Sequence, residues 1–449
     1  MKFRINKMFF LMLVVSICII SCTEEGRFKT EGGNTTPPGV PTLDPARPWI
    51  PLYGGARIYY IIPGDEDLLS VDAEYFNERG ERFFFSSSFF KDSIDVIGFG
   101  AESEYTVYLY GVNRAGVKSE KIPVRVTPNE PAISRVLSTV EILAGFNSLI
   151  VDWKNELEQI INIFVDYRYI QNGMERTITQ VFSSNMEVDR RFINNVFTLP
   201  TDPVHVSYRV ADFYGNVSET VTLEPLLLME DQEIPKFTLQ PGDLMVIPEA
   251  NDSTVLLRNG TRVNTGIPAF FGDHLEGRRY KLIDGILDEG ENLNFYHTGE
   301  LGRTGVTGQG NMPYNIIIYL GGTWELSRII THQRHSGGHN SANRGHFYRN
   351  ENVGRFRLYY FDEDPEVMDW VPTTPEDQRT PVPLGISELE LILMGKAGDM
   401  SYFYPERPQY TKPTRWFRYE AVAGFVDDYT SNRGNCMSEM TLFGRRVDR

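Results

Sequence analysis

Two stretches of the chain repeat each other at an offset of 99 residues (215 − 116), and this repeat limits the possible folds more than any other feature. Residues 107–120 read VYLYGVNRAGVKSE and residues 206–219 read VSYRVADFYGNVSE. The turn residues align pairwise: Gly116 with Gly215, Ser119 with Ser218, and Glu120 with Glu219. In each copy two β-type runs flank a glycine, which supplies the positive φ that a tight turn needs. A period of about 100 residues fits tandem immunoglobulin-sized sandwiches, because solenoid repeats span only ~20–50 residues.

The rest of the chain shows the same β-type pattern. From about residue 49 onward, short runs such as residues 57–63 and 105–110 are separated by turn residues. Aromatic residues make up 12% of the chain, and long amphipathic helical patterns are scarce. Strands at this spacing without intervening helices predict an all-β protein built from sandwiches.

The repeated hairpins resemble the last two strands of fibronectin type III domains, and Tyr105 stands where the tyrosine corner of such a domain would lie. We therefore expect a fibronectin-like sandwich at residues 43–128 and a second fibronectin- or immunoglobulin-like sandwich at residues 129–232. Trp153 is the expected core residue of the second. Chance similarity between two hairpins is the alternative interpretation.

The first residues have the pattern of an export signal. Lys2, Arg4 and Lys7 precede an apolar run at residues 9–20, which is too short to span a bilayer comfortably, and Cys22 follows. This order resembles a bacterial lipoprotein lipobox, which implies a signal peptide at residues 1–21 and acylation of Cys22. An ordinary signal peptide or an uncleaved anchor helix is the alternative.

The residues after Cys22 indicate the location of the protein. Residues 23–25 (TEE) resemble the surface-export signal of Bacteroidetes lipoproteins, and the polar residues 22–42 are expected to form a flexible tether. We therefore expect an outer-membrane protein that faces the cell exterior. It would touch the membrane only through its lipid anchor.

Cysteine content and charge exclude several classes of protein. Of the three cysteines, Cys18 would leave with the signal and Cys22 would carry lipid, so Cys436 would remain as a buried free thiol without a disulfide partner. A net charge of −16 argues against nucleic-acid binding, which favours basic surfaces.

Residues 235–449 contain a series of motifs that occur in a fixed order. They are LIDG at residues 282–285, YHT at 296–298, a strand ending in LGG at 322, and SEMTLFG at 438–444. Together they resemble the discoidin fold of the coagulation factor 5/8 C-terminal domain, a galactose-binding-like β-sandwich jelly roll. The whole arrangement resembles surface lipoproteins of Bacteroidetes polysaccharide-utilisation loci. This resemblance implies carbohydrate binding.

Two segments of the C-terminal region could contact a sugar, because hydroxyls need fixed polar partners and pyranose faces pack on aromatic rings. The first is the loop at residues 332–346, rich in hydrogen-bond donors, and the second is the Tyr- and Pro-containing insertion near residue 404. The predicted ligand-binding residues are His332, Arg334, His335, His339, Asn340, Tyr402, Tyr404 and Trp416. A solvated loop, a zinc site and simple packing of the aromatic rings are the alternatives.

The discoidin resemblance also implies a structural calcium ion. Asp284 in the Asp-Gly turn and Glu439 in the closing strand match the positions that ligate calcium in discoidin-type sugar binders. Carboxylate oxygens suit this ion. In the alternative interpretation Asp284 caps its turn and Glu439 forms a salt bridge.

The chain carries none of the catalytic motifs we looked for. A Gly-x-Ser-x-Gly elbow, a His-Glu-x-x-His helix and a phosphate-binding loop are all missing from the sequence, so we expect no enzyme activity. The predicted function is capture of a polysaccharide or glycan by the discoidin-like domain, for uptake by a neighbouring outer-membrane transporter with companion lipoproteins. The alternative is a structural or partner-docking lipoprotein that binds protein instead of sugar.

Overall fold

The structure is a computed structural model. It describes residues 35–77, 79–236, 253–256, 262–267, 281–288, 294–297, 312–334, 348, 352–382, 388–425 and 436–447. None of the helices in these ranges is both long enough and apolar enough to cross a membrane. The predicted acylation site Cys22 and the predicted signal peptide lie outside the described residues.

The first unit is a sandwich of two antiparallel sheets. One sheet has the order β1-β3-β2 with β6 paired to β3, and the other has the order β5-β4-β7-β8. Its strands are β1 (Thr42–Leu43), β2 (Trp49–Leu52), β3 (Gly55–Ile61), β4 (Leu68–Phe76), β5 (Arg82–Ser88), β6 (Ser93–Ile97), β7 (Tyr105–Asn113) and β8 (Ile122–Val126). Alternate residues of these strands, such as Ile58, Val71 and Val107, meet in one buried core.

The second unit has the same two-sheet construction. The sheets have the orders β13-β10-β9 and β12-β11-β14-β15, with a short helix α1 beside them. The elements are α1 (Ala132–Leu137), β9 (Glu141–Ala144), β10 (Ser148–Lys154), β11 (Ile161–Gln171), β12 (Met174–Ser184), β13 (Val188–Asn194), β14 (His205–Asp212) and β15 (Val221–Thr222). Trp153 lies in the core of this unit, as predicted.

The third unit is built around one large sheet with the order β16-β27-β20-β25-β21-β22, with β23 on β21 and β24 on β20. Its elements are β16 (Gln232–Glu233), β17 (Thr254–Leu256), β18 (Arg262–Asn264), β19 (Tyr296–His297), β20 (Tyr314–His332), β21 (Arg355–Phe361), β22 (Trp370–Pro372), β23 (Gln378–Arg379), α2 (Glu388–Ala397), β24 (Asp399–Tyr402), β25 (Thr414–Ala423), β26 (Cys436–Met437) and β27 (Glu439–Arg446). The pairs β17-β18 and β19-β26 complete it. The predicted all-β class is confirmed.

The repeated hairpins have matching turns. Gly116 and Gly215 have φ values of 80° and 81°, so both occupy the region that favours glycine. The Ser119 hydroxyl accepts a hydrogen bond from the Gly111 amide, and the Ser218 hydroxyl accepts one from the Val210 amide, both at 2.9 Å. The interpretation of the repeat as two equivalent turns is therefore confirmed.

The tyrosine corner and the buried cysteine also agree with the sequence. The Tyr105 hydroxyl accepts a hydrogen bond from the Ala101 amide four residues upstream, at 3.1 Å. Cys436 is fully buried and forms no disulfide within the described part of the chain. Trp153 and Cys436 thus both serve as core residues.

Part of the predicted flexible tether packs on the first sandwich. The Gly39 amide donates to the Asp65 carboxylate at 2.6 Å, and the Asn113 side-chain amide donates to the Thr36 carbonyl at 3.0 Å. Pro38 and Pro41 are buried. The expectation that residues 22–42 form a free tether is therefore wrong for residues 36–41.

Direct contacts join the first and second units. The Arg79 guanidinium donates to the Gly215 carbonyl at 2.8 Å, and the Asn216 side-chain amide donates to the Gly98 carbonyl at 3.0 Å. Phe83 and Tyr214 meet edge to face, with ring centroids 6.2 Å apart. The repeated turn of the second unit is therefore part of the joint with the first.

A larger set of contacts joins the second and third units. A small apolar cluster contains Phe146 and Ile150 of the second unit and Tyr402 of the third. Arg190 forms a two-point ion pair with Asp152, at 2.6 Å for both bonds, and also donates to the Pro405 carbonyl. The joint thus combines apolar packing with a paired charge.

Candidate functional site

The predicted sugar-binding loop begins where β20 ends. His332, Arg334, Tyr402, Tyr404 and Trp416 are described by the structure, together with the predicted calcium ligands. His335, His339 and Asn340 lie outside the described residues. The structure therefore shows the base from which this loop starts.

His332 packs inward, against the end of helix α2. Its imidazole lies close to Gly398, where an added Cβ would come within 2.7 Å of Nε2. Burial, and to a lesser degree the charge of Lys236, lowers the pKa of His332 to about 4. The imidazole is therefore neutral at neutral pH, and it supports the base of the loop.

Arg334 is held on three sides. Its guanidinium carbon lies 3.8 Å from the centroid of the Phe295 ring, and Nη1 donates to Cys436 Sγ at 3.3 Å. Its backbone amide and carbonyl both bond the side chain of Asn352, at 3.3 and 3.1 Å. The two ends of the segment 335–351 are therefore tied together by one asparagine.

A partly buried carboxylate bonds further residues of the same region. Asp399 accepts hydrogen bonds from Gln333 Nε2 and from the Tyr348 hydroxyl, both at 3.0 Å. Burial raises the pKa of Asp399 to about 6, while these two donors act in the opposite direction. Because Tyr348 lies within the segment 335–351, this bond fixes the segment at a third point.

We name the set Gln333, Arg334, Tyr348, Asn352 and Asp399 the loop base. Among the described residues, Gln333 Oε1 and Arg334 Nε are buried without a hydrogen-bond partner. Buried polar atoms of this kind are rare in folded proteins and are usually satisfied by water or by a ligand. The loop base is therefore a polar cluster, with two unpartnered atoms, among the described residues nearest to the predicted loop.

The aromatic prediction has to be corrected at Tyr402. This side chain is 3% exposed, its ring stacks near Phe146 and Phe192, and its hydroxyl lies 2.9 Å from Ser148 Oγ. Its role is to join the second unit to the third. A sugar ring has no access to it.

Trp416 and Tyr404 also serve as packing residues. Trp416 is 6% exposed and lies on Tyr319, with ring centroids 4.9 Å apart. Tyr404 is half-buried against the same core, and its pKa is raised by burial and by its neighbour Tyr360. The prediction of an aromatic platform is therefore wrong for Trp416, because the flat face that a sugar needs is covered.

The predicted calcium ligands lie close together, but a lysine joins them. Lys236 Nζ lies 2.5 Å from Glu439 Oε1, and the Gly285 amide donates to Glu439 Oε2 at 3.3 Å. Asn294 Nδ2 donates to both oxygens of Asp284, at 3.1 and 3.3 Å. Burial raises the pKa of Glu439 to about 8, with Lys236 opposing the shift.

These residues do not fit a calcium ion. The Lys236 ammonium already contacts Glu439, and Asp284 already accepts hydrogen bonds from the Ile286 amide and from Asn294 Nδ2. The described part of the chain also holds no group of three or more His, Cys, Asp or Glu side chains that could bind a metal. The alternative interpretation, a capped turn and a salt bridge, describes the observed contacts.

Sequence reasoning missed Lys236, Tyr348 and Asp399. Lys236 stands at the start of the predicted domain at residues 235–449, outside the motifs that identify it, and Asp399 follows a helix that the pattern does not predict. Successive side chains of a strand alternate between its two faces. Only this alternation, continued by one residue beyond β20, predicts that Gln333 points inward like Thr331.

The chain was compared with protein families and with known proteins. The model of a family described as a domain of unknown function, DUF4959, matches residues 48–128, which lie in the first sandwich. The search of curated proteins finds no match. The family match covers less than half of the chain, so it describes the first unit only.

Solved structures with related folds span the other units as well. A SusE-like protein is 15% identical, with a TM-score of 0.30, and the match covers 71% of this chain and 100% of that chain. A CBM32 module from a family 31 glycoside hydrolase of Clostridium perfringens is 15% identical, covering 37% and 81%, with a TM-score of 0.23. A two-domain fibronectin type III segment of chicken tenascin is 15% identical, covering 42% and 99%, with a TM-score of 0.21. At these values the neighbours assign no function to this chain.

Proposed function

We propose that this protein is a non-catalytic, cell-surface lipoprotein that binds carbohydrate through the end of its third unit. The observation that carries the proposal is the loop base. It fixes a segment rich in His, Asn and Arg at Arg334, Tyr348 and Asn352. Loops fixed on a rigid sandwich are a common place for ligand recognition.

The chemistry of this segment suits a polyhydroxylated ligand. Imidazole and amide groups both donate and accept hydrogen bonds, and guanidinium groups donate them, so together they can pair with sugar hydroxyls in either direction. A preorganised set of such groups loses little conformational entropy when a sugar binds. Lys236 supplies the charge that calcium would otherwise supply, so we expect binding to be equal in calcium and in chelator.

The test is affinity electrophoresis of the chain beginning at Glu25, in gels that contain plant, fungal or host polysaccharides. We expect retardation by at least one polysaccharide, and loss of this retardation in the variant H335A/H339A/N340A. The variant H205A is the matched control, because His205 is an exposed histidine of the second unit. Equal retardation of all three proteins would contradict a binding role for the loop.

The anchoring part of the proposal has its own test. Acylation of Cys22 would hold the protein in the membrane fraction, because several acyl chains bind a bilayer far more strongly than one. We expect the variant C22A to leave that fraction. Protease added to intact cells would then show whether the anchored protein faces outward.

One observation favours the second candidate function, docking to a transporter or companion lipoprotein. Phe213 is 77% exposed beside an apolar groove of about 250 Å³ between the first two units, with Ile97 and Ile160 in its lining. Exposed apolar surface of this kind often marks a protein contact. Loss of co-purification of a transporter in the variant F213A, with glycan binding intact, would support this function.

A further inference from the structure

The outer face of the sheet β5-β4-β7-β8 carries a regular grid of side chains. Strand β4 pairs with β5 and β7 in a register that gives three rows across the sheet. The rows are Ser88-Ser70-Val112, Ser86-Asp72-Tyr110 and Phe84-Glu74-Tyr108. Alternate residues of a strand share a face, so all nine side chains lie on the same side of the sheet.

Part of this grid forms an open groove of about 390 Å³, which we name the sheet groove. Its lining consists of Leu69, Ser70, Asp72, Phe84, Ser86, Ser88 and Val112. The volume is in the range of known small-ligand sites, which span ~300–1,000 Å³. The groove therefore has room for a sugar unit.

Asp72 is the central residue of the sheet groove. It is 5% exposed, and its Oδ1 accepts hydrogen bonds from Ser70 Oγ at 2.8 Å and Ser86 Oγ at 2.6 Å. Within the described residues, Oδ2 has no hydrogen-bond donor and the carboxylate has no ion-pair partner. Oδ2 is not among the buried side-chain atoms that lack a partner, so it faces the open groove, where a sugar hydroxyl can replace water as its donor.

The neighbouring row contains a second carboxylate, Glu74, whose charge is compensated by cations of the same unit. Glu74 is similarly buried, but Arg82 Nη2 lies 2.6 Å from it and Lys121 forms a second ion pair with it. No equivalent cation faces Asp72 among the described residues. The two carboxylates therefore differ. Arg82 and Lys121 compensate the charge of Glu74, whereas Oδ2 of Asp72 is available to accept a hydrogen bond from a ligand.

Phe84 supplies the apolar wall of the sheet groove. It is 38% exposed and lies one row away from Asp72. An aromatic face beside a carboxylate and hydroxyl groups matches the two sides of a sugar, whose C–H face packs on rings and whose hydroxyls donate hydrogen bonds. The unpaired charge of Asp72 would repel uronic acids and sulfated sugars.

We propose that the sheet groove is a second carbohydrate-binding site, specific for neutral polysaccharides, and separate from the loop at the end of the third unit. The proposal shares its ligand class with the proposed function but rests on its own residues. Asp72 Oδ2 accepts a hydrogen bond from a sugar hydroxyl, the serine hydroxyls of the groove accept or donate others, and Phe84 packs on the ring. Two sites on one chain would raise the apparent affinity for a long polymer.

The experiment combines two sets of substitutions in the chain beginning at Glu25. The first set is D72N/F84A and the second is H335A/H339A/N340A, each alone and both together. The pair D95N/F90A is the matched control, because it removes the same residue types from an exposed ion pair and an exposed turn of the same sandwich. The probes are gels that contain neutral amylopectin, arabinoxylan or mannan, and acidic homogalacturonan.

We expect D72N/F84A to weaken retardation by a neutral polysaccharide about tenfold or more, in the parent and in the loop variant alike. The control pair should behave as the parent, and homogalacturonan should retard none of the proteins through this groove. D72N keeps the shape of the side chain, and circular dichroism checks that the variants fold.

The outcomes separate this proposal from the proposed function. Loss of binding in D72N/F84A with no effect of the loop variant would confirm the sheet groove and contradict the loop site. Unchanged binding in folded D72N/F84A, in both backgrounds, would overturn the sheet groove and leave the loop site standing. Binding that requires an added cation would also overturn it, because the groove would then be a cation site.

Discussion

Asp231 has no exposed side-chain surface, and donors from three residues surround its carboxylate. Arg328 Nε and Nη2 donate at 2.7 and 3.2 Å, Ser327 Oγ at 2.8 Å, and Asn147 Nδ2 at 3.1 Å. Asn147 belongs to the second unit and the other two donors to the third. The carboxylate therefore joins the two units at a single point.

We expect D231A to destabilise the protein by ~3–5 kcal/mol, because removal of one partner leaves the Arg328 charge buried and unpaired. Urea unfolding measures this loss. The control is E325A on the same strand, since the partner of Glu325 is the exposed Arg445, and such pairs contribute ~0–1 kcal/mol. Similar losses in both variants would contradict the role given to Asp231.

The Lys236–Glu439 pair predicts a stability change that depends on pH. Burial raises the pKa of Glu439 to about 8 from its ordinary 4.5. A carboxyl with a raised pKa favours the fold while protonated and loses that contribution as pH rises toward the folded value. Lys236 opposes this rise, so its removal raises the pKa of Glu439 further and keeps that carboxyl protonated. We expect K236M to cost little near pH 5, where Glu439 is protonated in both proteins, and ~1 kcal/mol more near pH 9, where only the parent ionises Glu439 beside an ammonium.

Urea unfolding of K236M at both pH values measures this difference. The matched control is K236M/E439Q, in which no group remains to ionise at this position. The pH dependence should vanish in that double variant. A penalty for K236M that is equal at both pH values would show that Lys236 acts by packing alone.

The turns at Gly116 and Gly215 have the same backbone shape but different surroundings: only the turn at Gly215 contacts another unit. Gly116 has no atom within 4 Å of an added Cβ, whereas a Cβ on Gly215 would lie 2.7 Å from Arg79 Nη2. Both glycines have nearly the same φ, so the backbone strain of an alanine is the same at both positions. The difference between them is the contact with the first unit.

We therefore expect G116A to cost ~1 kcal/mol and G215A to cost a further ~1 kcal/mol, the value of the displaced Arg79 hydrogen bond. Thermal unfolding of the two variants measures this difference. In the background R79A the two substitutions should have equal effects. If G116A were as harmful as G215A in the parent, the joint would not depend on this turn.

The same elements show how far the sequence allows prediction. Strands, paired turns, the tyrosine corner and the core position of Trp153 follow from local alternation and repeat spacing, which are properties of neighbouring residues. The exposure of Tyr402 and Trp416 depends on which distant surface covers them. Asp231 and Lys236 flank the predicted boundary between the second and third domains, outside every motif, and only the fold brings their partners to them.

At the scale of the whole molecule, the segment before the first unit and the segment between the second and third units are both packed against the folded units. Residues 36–41 lie on the first unit, and the segment after Met229 pairs with β27 through β16. The Tyr410 hydroxyl also donates to the Glu230 carbonyl. A segment held by strand pairing, a buried carboxylate and a side-chain bond is a poor protease substrate.

We expect a glutamate-specific protease to leave the bonds after Glu230 and Glu233 intact in the parent chain. In D231A the same bonds should become accessible, because the carboxylate that holds the segment is missing. Mass spectrometry of the fragments identifies the cleaved bonds. Rapid cleavage at these bonds in the parent would mean that the joint opens in solution.

Strands β16 and β27 lie side by side, with Gln232 opposite Gly444 and Glu233 opposite Phe443. The first and last strands of the large sheet therefore meet at one seam, next to the second unit. This seam lies beside the Asp231 carboxylate, which bonds Arg328 of the third unit and Asn147 of the second. The chain therefore enters and leaves the third unit at one edge of the sheet, so a local opening that frees β16 also exposes the edge of β27.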